Sequence, residues 1–432
     1  MSELIARPGR ALRGRVHVPG DKSISHRALL LGALAQGDSR VEGFLASGDC
    51  QATLGCLRGL GVAIERYPPH ALIVHGRGLH GLQPPLAELD CVRSGTTMRL
   101  LAGILAGQRF DSVLTGDAQL QRRPMRRVTE PLGRMGAQIG TADGHAPLHI
   151  HGCPLHGADH VLPVASAQVK SALLLAGLYA DGPTRIHQPG PARDHTERML
   201  AAMGAAIQVD GPMVAVSPAE ALAPLALTVP GDVSSAAFPL VAATLVTGSE
   251  VVVTGVGLNP TRTGLLDILS DMGARLSVCE GPAQGGEPQG DIEARAAPLA
   301  GTAVGGDTVV RMIDEFPVLA VAATQAEGVT EVRDAAELRV KETDRIATVV
   351  AELRALGGRI EPLDDGFIVE GPTPLRGGRV SSHGDHRLAM ALAVAGLVAE
   401  NEVAIEGAEC IADSFPGFVE LMQALGADLR WG

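Results

Sequence analysis

The chain has 432 residues, of which 46% are apolar and only 2% aromatic, and its formal net charge is −12. This length is enough for two or three domains. An acidic chain with so few aromatic rings is a poor candidate for binding nucleic acids, whether through a basic surface or by stacking on bases.

Six segments, taken in chain order, are predicted to be buried helices, because they are apolar nearly all round and rich in Ala and Leu. They are Arg27–Leu34, Met98–Leu105, Ser171–Leu178, Ala236–Leu245, Phe316–Ala323 and Leu388–Val398. A polar or charged cluster precedes each of them, such as Asp21-Lys22-Ser23 before the first. A helix start carries unpaired N–H groups and the positive end of a dipole, so each start is a potential anion site.

A second element recurs out of phase with the buried helices. Six amphipathic segments end in an apolar-Gly-small pattern, with the glycines at positions 61, 136, 204, 273, 357 and 426. Each pattern predicts the end of a helix, a glycine C-cap and a following strand. We therefore predict six structural units of about 70 residues.

The sequence also repeats at the level of its halves. Val18-Pro19-Gly20-Asp21 matches Val229-Pro230-Gly231-Asp232, and Pro-Gly interrupts both helices and strands. We expect crossovers between two domains at these segments, with three units in each half. The Gly- and Pro-rich segment Glu280–Pro298 is predicted to be a surface excursion.

The cysteines and the first residues bear on compartment and cofactors. None of the six cysteines has the spacing of a zinc site, so we expect buried, reduced thiols and no metal. The first six residues lack the pattern of a targeting peptide, and apolar runs such as Ala172–Ala180 are too short to span a bilayer. These features predict a cytoplasmic protein without membrane contact.

Cationic side chains gather near the predicted helix starts and against the acidic total. They include Lys22, Arg27, Arg123, Arg193, Lys341, Arg345 and Arg387. Arginine is suited to bidentate binding of carboxylates and phosphates. Two acids, Asp314 and Glu342, remain as candidates for general base and general acid.

Four motifs together resemble the 5-enolpyruvylshikimate-3-phosphate synthase family, and the resemblance extends from about Pro19 to Pro416. The motifs are Pro19-Gly20-Asp21-Lys22-Ser23-Ile24-Ser25-His26-Arg27, Ser94-Gly95-Thr96-Thr97-Met98-Arg99, Arg339-Val340-Lys341-Glu342-Thr343-Asp344-Arg345 and Gly384-Asp385-His386-Arg387-Leu388-Ala389-Met390.

The resemblance implies an α/β fold of two similar domains, each built from three βαβαββ-like units around buried helices. This is the enolpyruvyl transferase fold, an inside-out α/β barrel with the active site in the interdomain cleft. Residues 21–229 would form the domain on the shikimate 3-phosphate side. Residues 1–20 and 230–432 would form the domain that holds phosphoenolpyruvate and the acid and base.

The implied reaction transfers the enolpyruvyl group of phosphoenolpyruvate to the 5-hydroxyl of shikimate 3-phosphate and releases phosphate. It passes through a tetrahedral intermediate, belongs to the shikimate pathway to chorismate and the aromatic amino acids, and uses no metal or organic cofactor. A monomer acting on these two small molecules is expected.

The resemblance also implies roles for matching positions. Asp314 corresponds to the base, Glu342 to the acid, and Lys22 to a group between the two substrates. The implied phosphoenolpyruvate ligands are Lys22, Gly95, Arg123, Gln168, Arg345 and Arg387. The implied shikimate 3-phosphate ligands are Lys22, Ser23, Arg27, Ser166, Ala167, Gln168, Arg193, Asp314 and Lys341.

The sequence departs from the family pattern in two places. Val92-Arg93 stands before Ser94 where the family usually has Gly-Asn, and Asp413 stands where part of the family has a phosphate-binding Lys. Both departures bear on affinity for phosphoenolpyruvate and its mimic glyphosate.

Two other functions are considered. A UDP-N-acetylglucosamine enolpyruvyl transferase of the same fold typically has a Lys-Asn pair and a reactive loop cysteine. Here Ser23 follows Lys22, and no cysteine lies in Leu114–Arg127. A non-catalytic repeat protein that binds anions is the third possibility, but carboxylates such as Asp314 and Glu342 would be unfavourable in a pure anion site.

Overall fold

The computed structural model describes residues 3–68 and 70–432, which form two compact units. The N-unit comprises residues 20–229 and 283–287, and the C-unit comprises residues 3–19, 230–282 and 288–432. The chain passes from one unit to the other at Pro19/Gly20 and at Val229/Pro230, inside the two Val-Pro-Gly-Asp segments.

The elements follow in chain order. Two strands of the C-unit come first, β1 (Glu3–Ala6) and β2 (Arg13–His17). The N-unit then contains α1 (Lys22–Leu34), β3 (Asp38–Glu42), α2 (Gly48–Gly59), β4 (Ile64–Tyr67), β5 (Ala71–His75), β6 (Leu89–Asp90), α3 (Gly95–Ala106), β7 (Asp111–Thr115), α4 (Ala118–Gln121), α5 (Arg126–Arg134), β8 (Gln138–Ala142), β9 (His145–His151), β10 (Asp159–Val161), α6 (Ala167–Gly177), β11 (Thr184–His187), α7 (His195–Ala202), β12 (Ile207–Asp210), β13 (Met213–Val216) and β14 (Ala226–Thr228).

The rest of the C-unit follows. It contains α8 (Val233–Leu245), β15 (Glu250–Gly257), α9 (Gly264–Asp271), β16 (Arg275–Glu280), β17 (Gln289–Arg295), β18 (Ala303–Val304), α10 (Asp307–Arg311), α11 (Phe316–Gln325), β19 (Gly328–Val332), α12 (Arg345–Ala355), β20 (Ile360–Leu363), β21 (Gly366–Gly371), β22 (Gly378–Ser381), α13 (His386–Val398), β23 (Val403–Glu406), α14 (Phe418–Ala424) and β24 (Leu429–Trp431). Short 3-10 helices lie at Ala336–Val340 and Ala408–Asp413.

Each unit contains three four-stranded sheets with the same topology. The N-unit sheets have the orders β14-β3-β5-β4, β6-β7-β9-β8 and β10-β11-β13-β12, and the C-unit sheets have the orders β16-β17-β15-β2, β18-β19-β21-β20 and β22-β23-β1-β24. In every sheet one edge strand pairs in parallel and the other three strands pair antiparallel. The predicted fold class, with its six repeated units, is therefore confirmed.

Three buried helices form the core of each unit. In the N-unit α3 packs against α1 and α6, and in the C-unit α8, α11 and α13 all pack against one another. Their residues are buried almost throughout, as the all-round apolar pattern predicts. Five of the six begin two to four residues before the predicted apolar runs. Their polar starts are capped, as where Asp21 accepts from the Ile24 N–H and Asp385 from the Arg387 N–H.

The amphipathic helices end at the predicted glycines. Gly61, Gly136, Gly204, Gly273, Gly357 and Gly426 all have φ between 80° and 101°. Only glycine reaches this left-handed conformation without a steric penalty, so each is a true helix C-cap.

The prediction for Glu280–Pro298 was wrong in two respects. Gln289–Arg295 forms a strand between β16 and β15, with Ile292 and Ala294 buried in the core. Ala283–Glu287 packs with the N-unit, and Glu287 is 1% exposed. The alternation of apolar and polar residues in Asp-Ile-Glu-Ala-Arg was hidden by the surrounding glycines and prolines.

Along residues 3–68 and 70–432, no helix combines the length and the apolar composition needed to cross a bilayer.

His26 provides a test of the N-unit core through pH. The ring is fully buried on α1, with Nδ1 2.7 Å from the Thr53 Oγ1, and burial lowers its pKa from 6.5 to about 3. Nearby Lys22 and Arg27 lower the pKa further, whereas Asp49 opposes them. Below pH 6.5 the unfolded chain therefore binds a proton that the folded chain does not, and stability falls with falling pH.

We expect His26 to cost about 1.4 kcal/mol of stability per pH unit between pH 6.5 and about pH 4. His26→Asn removes this titration. Between pH 7.5 and 5.5 the denaturation midpoint of the variant should fall less than that of the parent, as followed by urea unfolding. Equal falls in both proteins would contradict a buried neutral histidine.

Candidate active site

The first N-unit cluster surrounds the start of α1. Asp21 caps the helix, and the Lys22 Nζ lies 3.1 Å from the Asp49 Oδ2 on α2. Lys22 and its partner are each less than one-fifth exposed. The predicted residues Lys22 and Ser23 thus occupy the first turn of a buried helix, where backbone N–H groups favour anions.

Arg27 lies one turn further along α1 and is 3% exposed. Its Nε donates to Thr196 Oγ1 and its Nη2 to Ser171 Oγ, both at 2.7 Å, while Nη1 donates to the Ser23 carbonyl. Burial lowers the pKa of Arg27 to about 10, which leaves the guanidinium charged at neutral pH. Arg193 joins the cluster because its Nη1 lies 3.5 Å from Ser23 Oγ.

A second cluster joins the starts of α3 and α6. Gln168 donates to Thr96 Oγ1 at 3.0 Å and accepts from the Arg99 Nη1 at 2.6 Å. A Cβ placed on Gly95 would lie 2.8 Å from the Arg99 Nη1 and 3.2 Å from the Arg123 Nη1. Gly95 therefore permits close approach of two guanidinium groups to a helix start. Ser166 and Ala167 stand beside this cluster, as N-cap and first residue of α6.

Arg99 was missed by the sequence analysis as a site residue. It lies within the Ser94–Arg99 motif, but an arginine inside an apolar helix gave no indication of what it contacts. It is 1% exposed, so it orients Gln168 from within the core.

The departure at Val92-Arg93 has a visible structural basis. Val92 has φ of 51°, which is strained for a β-branched residue. Its N–H donates to Asp90 Oδ1, and its carbonyl accepts from the Asp117 N–H, both at 2.8 Å. The Arg93 Nε donates to Asp117 Oδ2 at 3.0 Å, and the arginine is half exposed. The bonds at Val92 hold the turn where the family usually has glycine.

The C-unit cluster is organised by Arg345, the first residue of α12, which is 1% exposed. Its guanidinium donates to three carboxylates. The distances are 2.7 Å to Asp385 from Nε, 2.7 Å to Glu342 from Nη2, and 3.3 Å to Asp314 from Nη1. Burial alone would lower the pKa of Arg345, but the three carboxylates raise it above its ordinary value. The predicted acid and base, Glu342 and Asp314, are therefore joined by one guanidinium.

Arg387 and Lys341 lie at the same place. The Arg387 Nη2 is 3.8 Å from the Asp314 Oδ2, and Arg387 is 5% exposed at the start of α13. Burial lowers the pKa of Lys341, and the Asp314 charge partly opposes this shift. All five predicted C-unit residues thus belong to one cluster. Asp413 instead ends the 3-10 helix Ala408–Asp413.

Asp385 was quoted in a motif but given no role, and it proves central to this cluster. It caps α13 through the N–H groups of Arg387 and Leu388, and it accepts from Arg345. Although it is fully buried, and burial alone would raise its pKa, Arg345 lowers it. Asp385 therefore stays ionised and fixes Arg345 against the start of α13.

The start of α8 carries a further buried pair that the sequence analysis did not single out. The Arg262 Nη2 donates to Asp232 Oδ1 at 3.0 Å and to Ser234 Oγ at 2.6 Å. The Ser234 hydroxyl in turn donates to Glu315, which is next to Asp314. Burial raises the pKa of Glu315.

Asp194, His195 and Glu287 bring three possible metal-ligand atoms within 4.8 Å of one another in the N-unit. The His195 Nδ1 lies 2.8 Å from the Glu287 Oε1, and the Arg198 Nε donates to Asp194 Oδ2 at 2.9 Å. The Arg198 cation already balances charge here. The group attaches the 283–287 segment to α7.

Comparisons with known proteins agree over the whole chain. A sequence model of the family described as EPSP synthase (3-phosphoshikimate 1-carboxyvinyltransferase) matches residues 6–422. A 3-phosphoshikimate 1-carboxyvinyltransferase from Acidithiobacillus ferrooxidans is 54% identical over 426 residues, which are 99% of this chain and 98% of that protein. The enzyme of the same name from Halorhodospira halophila is 55% identical over 421 residues, which are 97% of this chain and 95% of that protein.

Solved structures give the same result. EPSP synthase from Acinetobacter baumannii superimposes with a TM-score of 0.90 and 45% identity, covering 100% of both chains. The enolpyruvyl transferase NikO from Streptomyces tendae has a TM-score of 0.83, covering 100% of this chain and 99% of that one, but at 22% identity it supports the fold alone. These findings do not favour the UDP-N-acetylglucosamine transferase or the non-catalytic alternative. The chain belongs to the EPSP synthase family, the 3-phosphoshikimate 1-carboxyvinyltransferases.

Proposed function

We propose that this chain transfers the enolpyruvyl group of phosphoenolpyruvate to the 5-hydroxyl of shikimate 3-phosphate, with Asp314 and Glu342 handling the protons. The observation that carries the proposal is the Arg345 guanidinium, which donates to both carboxylates at 3.3 Å and 2.7 Å. A base and an acid held on one buried cation have a fixed separation, as proton transfer at two neighbouring atoms requires.

In the first step the 5-hydroxyl oxygen bonds to C2 of phosphoenolpyruvate while its proton passes to Asp314. Glu342 donates a proton to the methylene carbon C3, which becomes a methyl group, and a tetrahedral intermediate results. In the second step the C2–O bond to phosphate breaks, and C3 returns a proton to Glu342. Phosphate leaves, and the carboxyvinyl ether is the product.

The anionic groups of the substrates need cations and helix starts around them. We assign phosphoenolpyruvate to Lys22, Gly95, Arg123, Gln168, Arg345 and Arg387. Four of the five N–H groups of Arg345 donate to carboxylates, which leaves the second N–H of Nη1 for a ligand. Arg387, with a single contact of 3.8 Å to Asp314 among the described residues, is better suited to grip a carboxylate or phosphate.

We assign shikimate 3-phosphate mainly to the N-unit. Its proposed ligands are Lys22, Ser23, Arg27, Ser166, Ala167, Gln168 and Arg193, with Asp314 and Lys341 from the C-unit. The support is the cluster around Ser23, where Arg27 and Arg193 both donate to the first turn of α1. Lys22 is proposed to serve both substrates, so both units act on the same pair of molecules.

We further propose that the protein acts as a cytoplasmic monomer on small molecules, without nucleic-acid or membrane partners. The net charge of −12 supports the first exclusion, because it would repel a polyanion. The proposed steps are proton transfers, an addition and an elimination, which side chains can serve. The proposal therefore includes no metal or organic cofactor.

Phosphate release tests the proposed chemistry. The parent should release phosphate from phosphoenolpyruvate when shikimate 3-phosphate is present, and not when UDP-N-acetylglucosamine replaces it. Asp314→Asn and Glu342→Gln should each lower kcat by about 100-fold or more, because each loses one proton transfer while its shape is kept. Asp271→Asn, an exposed carboxylate on α9, serves as the matched control. Turnover within a few-fold of the parent in either site variant would refute its role.

Gly95→Ala tests the phosphoenolpyruvate side of the N-unit. The added methyl would push the Arg99 and Arg123 guanidinium groups away from the start of α3. We expect the KM for phosphoenolpyruvate to rise about tenfold, the cost of one weakened charge-assisted hydrogen bond. Gly55→Ala on α2 is the control, because a Cβ there meets nothing within 4 Å. A KM unchanged in both variants would remove Gly95 from the binding site.

A further inference from the structure

Lys170 is a fully buried cation that no step above uses. It lies in the first turn of α6, is 1% exposed, and its Nζ is 2.6 Å from the Glu197 Oε1 on α7. Glu197 is itself 4% exposed. A buried ion pair of this kind is costly to desolvate and is weak evidence for stability alone. Its retention beside a binding cluster therefore needs another explanation.

The second contact of Lys170 supplies one. The Nζ also donates to the carbonyl of Ala192 at 3.2 Å, and Ala192 immediately precedes Arg193. Residues 188–194 contain no helix or strand, so backbone ladders do not fix this loop. Lys170 thus connects a rigid helix to the peptide unit that carries Arg193.

Glu197 balances the charge of the same region. Its carboxylate raises the pKa of buried Arg27, while Arg193 lowers it. Arg27 binds Thr196, the neighbour of Glu197, and Ser171, the neighbour of Lys170. The Ser171 and Thr196 hydroxyls are 2.7 Å apart. The Lys170–Glu197 pair and the Arg27 cluster therefore share the first turns of α6 and α7.

We propose that Lys170 is a positioning residue for shikimate 3-phosphate. Through the Ala192 carbonyl and Glu197 it holds the 188–194 loop, so that the Arg193 guanidinium faces Ser23 at the start of α1. Lys170 touches no substrate and acts through Arg193. The inference rests on the proposed assignment of Arg193 to shikimate 3-phosphate.

The test separates the backbone bond from the ion pair. Lys170→Met alone would leave Glu197 buried without its cation, so the informative variant is the double substitution Lys170→Met/Glu197→Gln, which removes both charges. Glu197→Gln alone removes the pair but keeps the bond to Ala192. Lys170→Arg retains a cation that can donate to both partners and is the rescue variant.

Each protein is titrated calorimetrically with shikimate 3-phosphate and then assayed for phosphate release. In the double variant we expect the dissociation constant and the KM for shikimate 3-phosphate to rise about tenfold, with kcat and the KM for phosphoenolpyruvate within about threefold of the parent. Glu197→Gln should show a smaller rise, and Lys170→Arg should approach the parent.

Gln108→Leu is the structural control. Gln108 is 2% exposed in the same unit, and its Nε2 donates to the carbonyls of Leu79 and Ile104. Its loss should lower the melting temperature but leave shikimate 3-phosphate binding unchanged. Parent-like binding in the folded double variant would overturn the inference, as would an equal loss of binding in Gln108→Leu. Because the titration measures binding, it stays decisive without turnover; a parent that binds but releases no phosphate would contradict the proposed function instead.

Discussion

The chemistry of the C-unit depends on a single buried cation, Arg345. A guanidinium that is 1% exposed is tolerated only because Asp385, Glu342 and Asp314 surround it. Removing one partner from such a set typically costs about 3–5 kcal/mol, so the cluster behaves as one electrostatic unit. Its acids are thereby held in place before any substrate arrives, which is how preorganised sites lower a reaction barrier.

The N-unit reaches a comparable result by different means. Its cations, Arg27, Arg99 and Arg123, are held by hydroxyls, carbonyls and an amide or packed at the Gly95 helix start. Neutral partners leave the positive charge uncompensated, and the helix starts add to it. As a carboxyvinyltransferase of the shikimate pathway, the chain concentrates positive potential locally although its total charge is −12.

Much of this organisation could be predicted from the sequence, because it is written in period and punctuation. All-round apolar runs marked the six core helices, and the recurring glycines marked the helix ends, since only Gly61 and its counterparts reach φ near 90° cheaply. Strand β17 was missed because glycines and prolines flank it. Asp385, Arg99 and Lys170 were missed as site residues because their importance lies in contacts with residues distant in sequence, which no local pattern reveals.

The placement of β1 and β2 has a consequence for how the protein is made. Glu3–Ala6 pairs with β23 and β24, and Arg13–His17 pairs with β15, so two C-unit sheets need strands from opposite ends of the chain. On the ribosome, residues 20–229 emerge as one continuous stretch and can begin to pack early. The first two strands must wait, unpaired, until more than two hundred further residues have been translated. Short length, with four and five residues, limits their exposure to aggregation during that delay.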